Sequence, residues 1–175
     1  MSRAALALNG ATNWNFYIFL NWQGSLYPAH GSVYRQRMAY WILRSEPDTY
    51  GWDDLVREKG TEWDGVRNYT ARNFLKDMQP GDLAFFYHSQ KDKAAVGIME
   101  ITRAWQPDGD ASSKGGQQWA SVRVEPRDRL AKPVTLADMK AEPKLAKLEM
   151  LRQSRLSVTP VRPVEWEILL EMASA

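Results

Sequence analysis

The sequence predicts an α+β domain in which short, mainly antiparallel strands form a small, partly closed barrel with flanking helices. Several short segments are apolar or alternate between apolar and polar residues, which is typical of strands. These segments do not alternate regularly with helices, and this argues against a doubly wound α/β fold. The chain of 175 residues is long enough for one such domain with its own core.

The first 37 residues differ in composition from the rest of the chain. They contain three arginines but no Lys, Asp or Glu, and Met38 directly precedes the first clear strand. We therefore predict that residues 38–175 form the domain. Residues 1–37 are expected to be an unstructured extension, or to follow from a start codon assigned too early. The alternative is an N-terminal arm that packs on the domain through Trp14 and Trp22.

The first part of the domain is predicted to contain one strand and two helices. Residues 39–44 are rich in β-formers, and Pro47 ends the strand because it cannot donate to a ladder. Residues 52–58 predict a short helix that ends at Gly60. Residues 68–78 predict a longer helix, since four apolar residues recur at i, i+3, i+4 and i+7. These four are Ala71, Phe74, Leu75 and Met78.

The second part begins after the turn Pro80-Gly81-Asp82. The first strand there is apolar on both faces, which is typical of a buried strand, and a later one alternates cleanly. The predicted strands cover residues 83–88, 95–103 and 119–125, and a flexible loop is predicted at 108–118. Short helices are predicted at 136–140 and 145–151. An extended segment at 156–159 and a closing helix at 164–172 complete the domain.

Composition excludes several kinds of site. The chain has no Cys, which removes disulfides, thiol nucleophiles and Cys-ligated zinc, and its two His are far apart. We expect no metal and no cofactor. No run of about 18 apolar residues predicts a membrane span, so we expect a cytoplasmic protein with access to the nucleoid or nucleus. Residues 38–175, which exclude the three N-terminal arginines, contain 20 basic and 21 acidic residues. Binding of nucleic acid would therefore depend on a local patch of charge.

Residues 61–73 carry the most informative pattern in the chain. This segment combines a Trp, a Tyr, two Arg, two Asn and an Asp around one Gly, just before the predicted helix. A stacking face, hydrogen-bonding groups and positive charge are what a nucleobase and its phosphates require. The alternative is a turn whose Trp packs in the core, followed by a solvated helix face.

Five ordered motifs together resemble one known family. They are Trp41-Ile42-Leu43-Arg44-Ser45-Glu46-Pro47, Trp63-Asp64-Gly65-Val66-Arg67-Asn68-Tyr69-x-Ala71-Arg72-Asn73, Pro80-Gly81-Asp82, Phe86-Tyr87-His88-Ser89 and Arg155-Leu156-Ser157-Val158-x-Pro160. Residues 38–172 resemble the EVE domain family. The resemblance implies a PUA-like pseudo-barrel, related to the YTH and SRA domains. It also implies a binder of DNA or RNA carrying a modified base, such as methylated cytosine or adenine. We expect this binder to be a monomer and not an enzyme.

The resemblance suggests which residues form a base pocket. Trp63 matches the position where related YTH domains place one wall of an aromatic cage, and its alternative is core packing. Ser45 and Glu46 end the first strand, where related domains read the base edge; their alternative is to cap the next helix. Asp64 and Asn68 are expected either to read a base or to cap a turn.

A second pocket wall is predicted from residues 87–89. Tyr87 and His88 point to opposite faces of one strand, so only one of them can line a given pocket directly. Periodicity does not decide between them. We expect Tyr87, or the turn formed by Tyr87, His88 and Ser89, to form this wall.

Four arginines are candidates for phosphate contacts. Arg67 and Arg72 lie in the segment 61–73, and Arg155 opens the last motif. Arg44 stands where the family commonly has Lys, so a guanidinium fork replaces a point charge. Ion pairing on the surface, or for Arg155 a structural tie to the last strand, is the alternative.

Three functions are compatible with these residues. The first is a reader that takes a modified base flipped out of its stack. The second is a general module for structured RNA such as tRNA. The third, an enzyme, lacks support because the sequence offers no nucleophile motif, no phosphate-cradling Gly loop and no metal-ligand cluster.

Overall fold

The computed structural model describes residues 38–109 and 119–174. The predicted extension 1–37 and most of the predicted loop 108–118 lie outside these residues, and both stay predictions. Within the described ranges, every helix is too short or too polar to cross a membrane.

Six strands of the described residues form one sheet, which confirms the α+β prediction. They are β1 Tyr40–Ser45, β2 Thr61–Trp63, β3 Leu83–His88, β4 Ala94–Asp108, β5 Trp119–Thr135 and β6 Val158–Val161. The order across the sheet is β2-β5-β4-β3-β1-β6. Of the described pairings, only that between β1 and β3 is parallel. The described strands leave β2 and β6 as the two edges, so the sheet is not closed into a full barrel.

In the part of the chain that the structure describes, five helices and a 3₁₀ turn flank the sheet. They are α1 Trp52–Glu58, α2 Tyr69–Asp77, α3 Leu136–Ala141, the 3₁₀ turn Pro143–Leu145, α4 Glu149–Arg152 and α5 Pro163–Ser174. The bounds of α1 agree with the prediction at both ends. The predicted helix 145–151 is instead a 3₁₀ turn and a separate short helix. Pro163 opens α5, where its missing N–H costs no hydrogen bond.

Strands β4 and β5 are longer than the sequence predicts. The prediction ended β5 at Glu125, where the clean alternation of apolar and polar residues stops, and Pro126 follows directly. The register between these strands shifts at four places, and Met99 pairs with Pro126 beside one of them. Bulges of this kind accommodate proline and bend the strand, so β5 continues for 17 residues.

Two hydrophobic clusters cover the two faces of the sheet. On β1, Trp41 and Leu43 join the first cluster, which also holds buried residues of α1 and α2. Ile42, between them, joins the second, to which α3 and α5 contribute. The alternation of side chains along a strand sends neighbours to opposite faces, and both faces of this sheet are buried.

A buried carboxylate fixes the turn between α2 and β3. Asp82 is 3% exposed and accepts hydrogen bonds from Ala39 N (2.9 Å), Trp41 Nε1 (3.1 Å) and Gln79 N (3.0 Å). These bonds satisfy a charge that burial would otherwise penalise. The motif Pro80-Gly81-Asp82 therefore joins β1 to the end of α2.

Candidate functional site

A cleft of about 920 Å³ opens where β1 ends and β2 runs along the edge of the sheet. Six predicted site residues line it: Arg44, Ser45, Trp63, Asp64, Arg67 and Asn68. Thr49, Tyr50, Thr61, Glu62, Val66, Arg123 and Ser157 also line it, with Gly60 and Gly65. Three guanidinium groups and two carboxylates in this lining give it a net charge of +1. The domain as a whole is slightly acidic, so the cleft is a local basic site.

Trp63 belongs to the core and to the cleft at the same time. Strand β2 pairs with β5, with Trp63 opposite Val122, and this pairing carries the indole into the first hydrophobic cluster. Its ring meets Phe86 edge to face, with centroids 5.5 Å apart and planes at 86°. Only 7% of the residue is exposed. Trp63 thus packs in the core, which was one alternative from the sequence, and also lines the cleft, as the other alternative requires. The sequence did not predict β2, because three residues are too few to show a period.

Arg44 and Ser45 hold neighbouring backbone in place. The Nη1 of Arg44 donates to the carbonyls of Ser154 and Leu156, and its guanidinium carbon lies 5.5 Å from the centroid of the Tyr87 ring. Ser45 Oγ donates to the carbonyl of Tyr50 at 2.6 Å. Both side chains line the cleft while they position its wall.

Asn68 caps α2. Its Oδ1 accepts from Thr70 N at 2.9 Å and from Ala71 N at 3.1 Å, which satisfies two free donors of the first turn. Asn68 also lines the cleft, and no described group accepts a hydrogen bond from its Nδ2. Asp64 is exposed, and no described group bonds to its carboxylate. Asp64 is therefore the freer hydrogen-bond acceptor of the two.

Asp108 holds the turn that contains Gly65 and Arg67. Its Oδ2 accepts from Gly65 N at 2.9 Å and from Arg67 Nη1 at 2.6 Å. Burial alone would raise the pKa of Asp108. The hydrogen bonds from Arg67 and from the Gly65 N–H, together with the charge of Arg67, outweigh that effect and lower the pKa. Gly65 has φ +69°, a conformation that other residues rarely adopt.

Tyr87 and His88 do not line the cleft, and the prediction of a second wall from them is wrong. Tyr87 is 1% exposed and lies in the second cluster, on the sheet face opposite Trp63. His88 Nε2 accepts from Trp52 N at 3.1 Å, which leaves its proton on Nδ1, 2.8 Å from Asp92 Oδ2. His88 thus caps the start of α1.

Three other predicted residues lie outside the lining. Glu46 accepts from Gln90 Nε2 at 3.2 Å, and its backbone carbonyl accepts from the N–H groups of the next turn. Arg72 donates to Asn73 Oδ1. Arg155 is exposed. Glu46, Arg72 and Arg155 therefore stay predictions that the lining of the cleft does not support.

Arg123 is a cleft cation that the sequence did not predict. It lies on β5 opposite Glu62 of β2, 3.7 Å from Glu62 and 3.9 Å from Glu125. Glu62 makes shorter bonds of 2.8 and 2.6 Å to Arg103. Those bonds, then the charges of Arg103 and Arg123, lower the pKa of Glu62 against its burial. Arg123 is left with only long contacts to carboxylates. The alternation along residues 119–125 places Arg123 opposite the core residues, but only the β2 pairing brings it to the cleft.

No cluster of three or more His, Asp or Glu suited to a metal ion occurs within residues 38–109 and 119–174. The model of the EVE domain matches residues 39–172. The chain belongs to the EVE domain family. This family match spans most of the chain and confirms the resemblance carried by the five motifs.

Solved structures and a curated relative agree with this assignment. This EVE domain is similar to Rpa0253 from Rhodopseudomonas palustris, at 43% identity and TM-score 0.73, over 78% of this chain and 94% of that one. It is similar to the human THYN1 protein in complex with 5-methylcytosine-containing DNA, at 30% identity and TM-score 0.71, over 78% and 98%. Human thymocyte nuclear protein 1 is 30% identical over 165 residues, which cover 77% of this chain and 73% of the relative.

Proposed function

We propose that this EVE domain binds nucleic acid carrying a modified base and holds that base, flipped out of its stack, in the cleft beside Trp63. The observation that carries the proposal is a basic cleft floored by an indole, in a chain 30% identical to a protein solved with 5-methylcytosine-containing DNA. Its volume of about 920 Å³ lies within the range of about 300–1,000 Å³ typical of ligand pockets.

Each part of a nucleotide has a matching group in this cleft. Trp63 offers the apolar floor. Asp64, free of described partners, can accept from an exocyclic amino group such as cytosine N4, and Asn68 Nδ2 can donate to a ring acceptor. The guanidinium groups of Arg67 and Arg123 suit the phosphates, which position a strand without reading its sequence.

A methyl group adds a small preference to this binding. Burying one methyl or methylene contributes about 0.8 kcal/mol, which is about four-fold in affinity. Flipping a paired base costs a few kcal/mol, so a single-stranded or mispaired site is preferred. We therefore propose modest discrimination between modified and unmodified strands.

We also propose that this function is binding without chemistry. The Ser45 hydroxyl donates to a backbone carbonyl, and Glu62 is held in its ionised form by Arg103. Neither arrangement resembles a nucleophile activated by a neighbouring base. In this proposal a single copy of the chain binds DNA or RNA, without a metal and away from membranes.

A titration of the full chain tests the proposal. Labelled single strands with one central 5-methylcytosine, one N6-methyladenine or no modification are titrated at fixed salt, because affinities at different salt concentrations are not comparable. We expect tighter binding of one modified strand. Equal dissociation constants for all strands would contradict a reader, and preference for a folded RNA such as tRNA would favour the general RNA-binding module.

A further inference from the structure

A strip of paired aromatic and cationic side chains runs along the outer face of α2, beside the cleft. Tyr69, the first residue of α2, is 53% exposed. Its ring stacks on that of Trp119 with centroids 5.2 Å apart and planes at 15°. A ring this exposed at the start of a helix contributes little to the core, so core packing does not account for an aromatic residue at this position.

Three cations sit against the rings of this strip. The guanidinium of Arg67 lies 5.5 Å from the Trp119 centroid, and that of Arg72 lies 5.2 Å from the Tyr69 centroid. One turn further along α2, Lys76 Nζ lies 4.5 Å from the centroid of Trp105. We call these six residues the α2 strip: Arg67, Tyr69, Arg72, Lys76, Trp105 and Trp119.

The strip is continuous with the cleft and keeps a net positive charge. Arg67 lines the cleft and also contacts Trp119. Asp108 is the carboxylate that pairs with Arg67. Within the described ranges no carboxylate lies within ion-pair distance of Arg72 or Lys76. From Tyr69 to Lys76, α2 spans about 11 Å at helical rise, which matches about three nucleotides of a B-form strand.

We infer that the α2 strip holds the single-stranded nucleotides that flank the base bound in the cleft. Flat rings stack on nucleobases of any sequence, and adjacent cations follow the phosphates. Tyr69 is exposed and the two Trp rings are partly exposed. Together with the charges of Arg72 and Lys76, these rings fit an anionic strand with aromatic bases. The inference rests on the proposed function, because the strip continues from the cleft.

Binding of two probes to the full chain separates the strip from the cleft. The first probe is a short single-stranded DNA with one central 5-methylcytosine, and the second is its unmodified counterpart. We expect Tyr69→Ala to weaken the binding of both strands by about 5- to 150-fold. The ratio between the two strands, which reports on the cleft, should persist. Tyr69→Phe keeps the ring and should restore the affinity that Tyr69→Ala loses, which assigns the loss to the ring. The persisting ratio shows that Tyr69→Ala still folds.

The charge of the strip has its own matched pair of variants. Lys76→Gln should make the negative slope of log K against log salt shallower by about 0.7. Lys144→Gln, which removes an exposed lysine on the 3₁₀ turn, should leave the slope unchanged. If Tyr69→Ala and Lys76→Gln both bind like the wild type while the modified strand is still preferred, the proposed role of the α2 strip is contradicted. The proposed reading of a modified base is then still supported. If the wild type binds both strands equally but Tyr69→Ala weakens the binding of both, the reading of a modified base is contradicted. The role of the α2 strip in binding single strands is then supported.

Discussion

The carboxylate of Asp108, at the end of β4, accepts a hydrogen bond of 2.6 Å from the guanidinium of Arg67, beside the cleft. The Asp108 side chain is 14% exposed, while that of Arg67 is 52% exposed. One carboxylate thus anchors the turn that carries the cleft-lining residues 65–68. The conformation of the site depends on a contact between segments far apart in the sequence.

This contact predicts a pH-dependent contribution to stability. The pKa of Asp108 is lowered in the fold, so its contribution is present above the unfolded value of about 3.9. It is lost as the pH falls through the lower folded value. Asp108→Asn should therefore reduce the free energy of unfolding near pH 7 by about 1 kcal/mol, since Arg67 is half exposed. The difference from the wild type should shrink as the pH falls below the unfolded value of about 3.9. A urea series over this range checks it, and a difference that is constant with pH would contradict it.

Trp63 should report ligand binding through its fluorescence. Trp63→Ala would remove a core side chain and cost about 3–5 kcal/mol, so Trp63→Phe is the better variant. A bound base next to the indole should quench the wild type, and Trp63→Phe should lose most of this quenching. Trp166 is the matched control, because it is also buried but lies in the second cluster. Trp166→Phe should keep the quenching, and equal quenching in both variants would remove Trp63 from the site.

Arg123 should contribute one ionic contact to a bound strand. Its contacts to carboxylates are long, at 3.7 and 3.9 Å, so its charge is available to a phosphate. For a single strand, Arg123→Gln should make the negative slope of log K against log salt shallower by about 0.7. Arg127→Gln, on the same strand but paired with Glu100, is the control and should leave the slope as it is. A slope unaffected by Arg123→Gln would place the phosphates elsewhere.

Gly97 should be intolerant of any side chain. A Cβ at this position would lie 2.4 Å from the Trp52 ring, and this ring is buried in the first cluster. Gly97→Ala should therefore overpack the core and cost about 1–3 kcal/mol. At Gly51 an added Cβ would meet its neighbours at 3.5 Å or more, so Gly51→Ala should cost less. Chemical denaturation of both variants checks the difference, and equal losses would contradict it.

The hydroxyl of Tyr87 should not be needed for binding of nucleic acid. Burial raises the pKa of its phenol, although the charge of Arg44 opposes this. The hydroxyl is buried and has no described hydrogen-bond partner. Tyr87→Phe removes an unsatisfied polar group, so the free energy of unfolding should stay the same or rise slightly. Its affinity for modified strands should match the wild type. A marked loss of affinity would return Tyr87 to the binding site.

The sequence by itself determined much of the local structure. The apolar spacing of α2, the buried strand β3 and the proline at the start of α5 each depend on residues close together in the chain. The five motifs, which retain their order and spacing, also indicated the family. Six of the eleven predicted site residues line the cleft. They come from two short segments, residues 44–45 and 63–68, so their closeness in the sequence already brings most of them together.

Only the tertiary structure decided which face each side chain serves. The period of β3 allows either Tyr87 or His88 to face a pocket, and the packing of α1 and α5 on the two faces assigned both to other roles. Strand β2 exists because β5 pairs with it, and that pairing brings Arg123 to the cleft and Trp63 into the core. Periodicity records neighbours along one segment, whereas the pairing of distant strands sets which surfaces are buried and which remain open to a ligand.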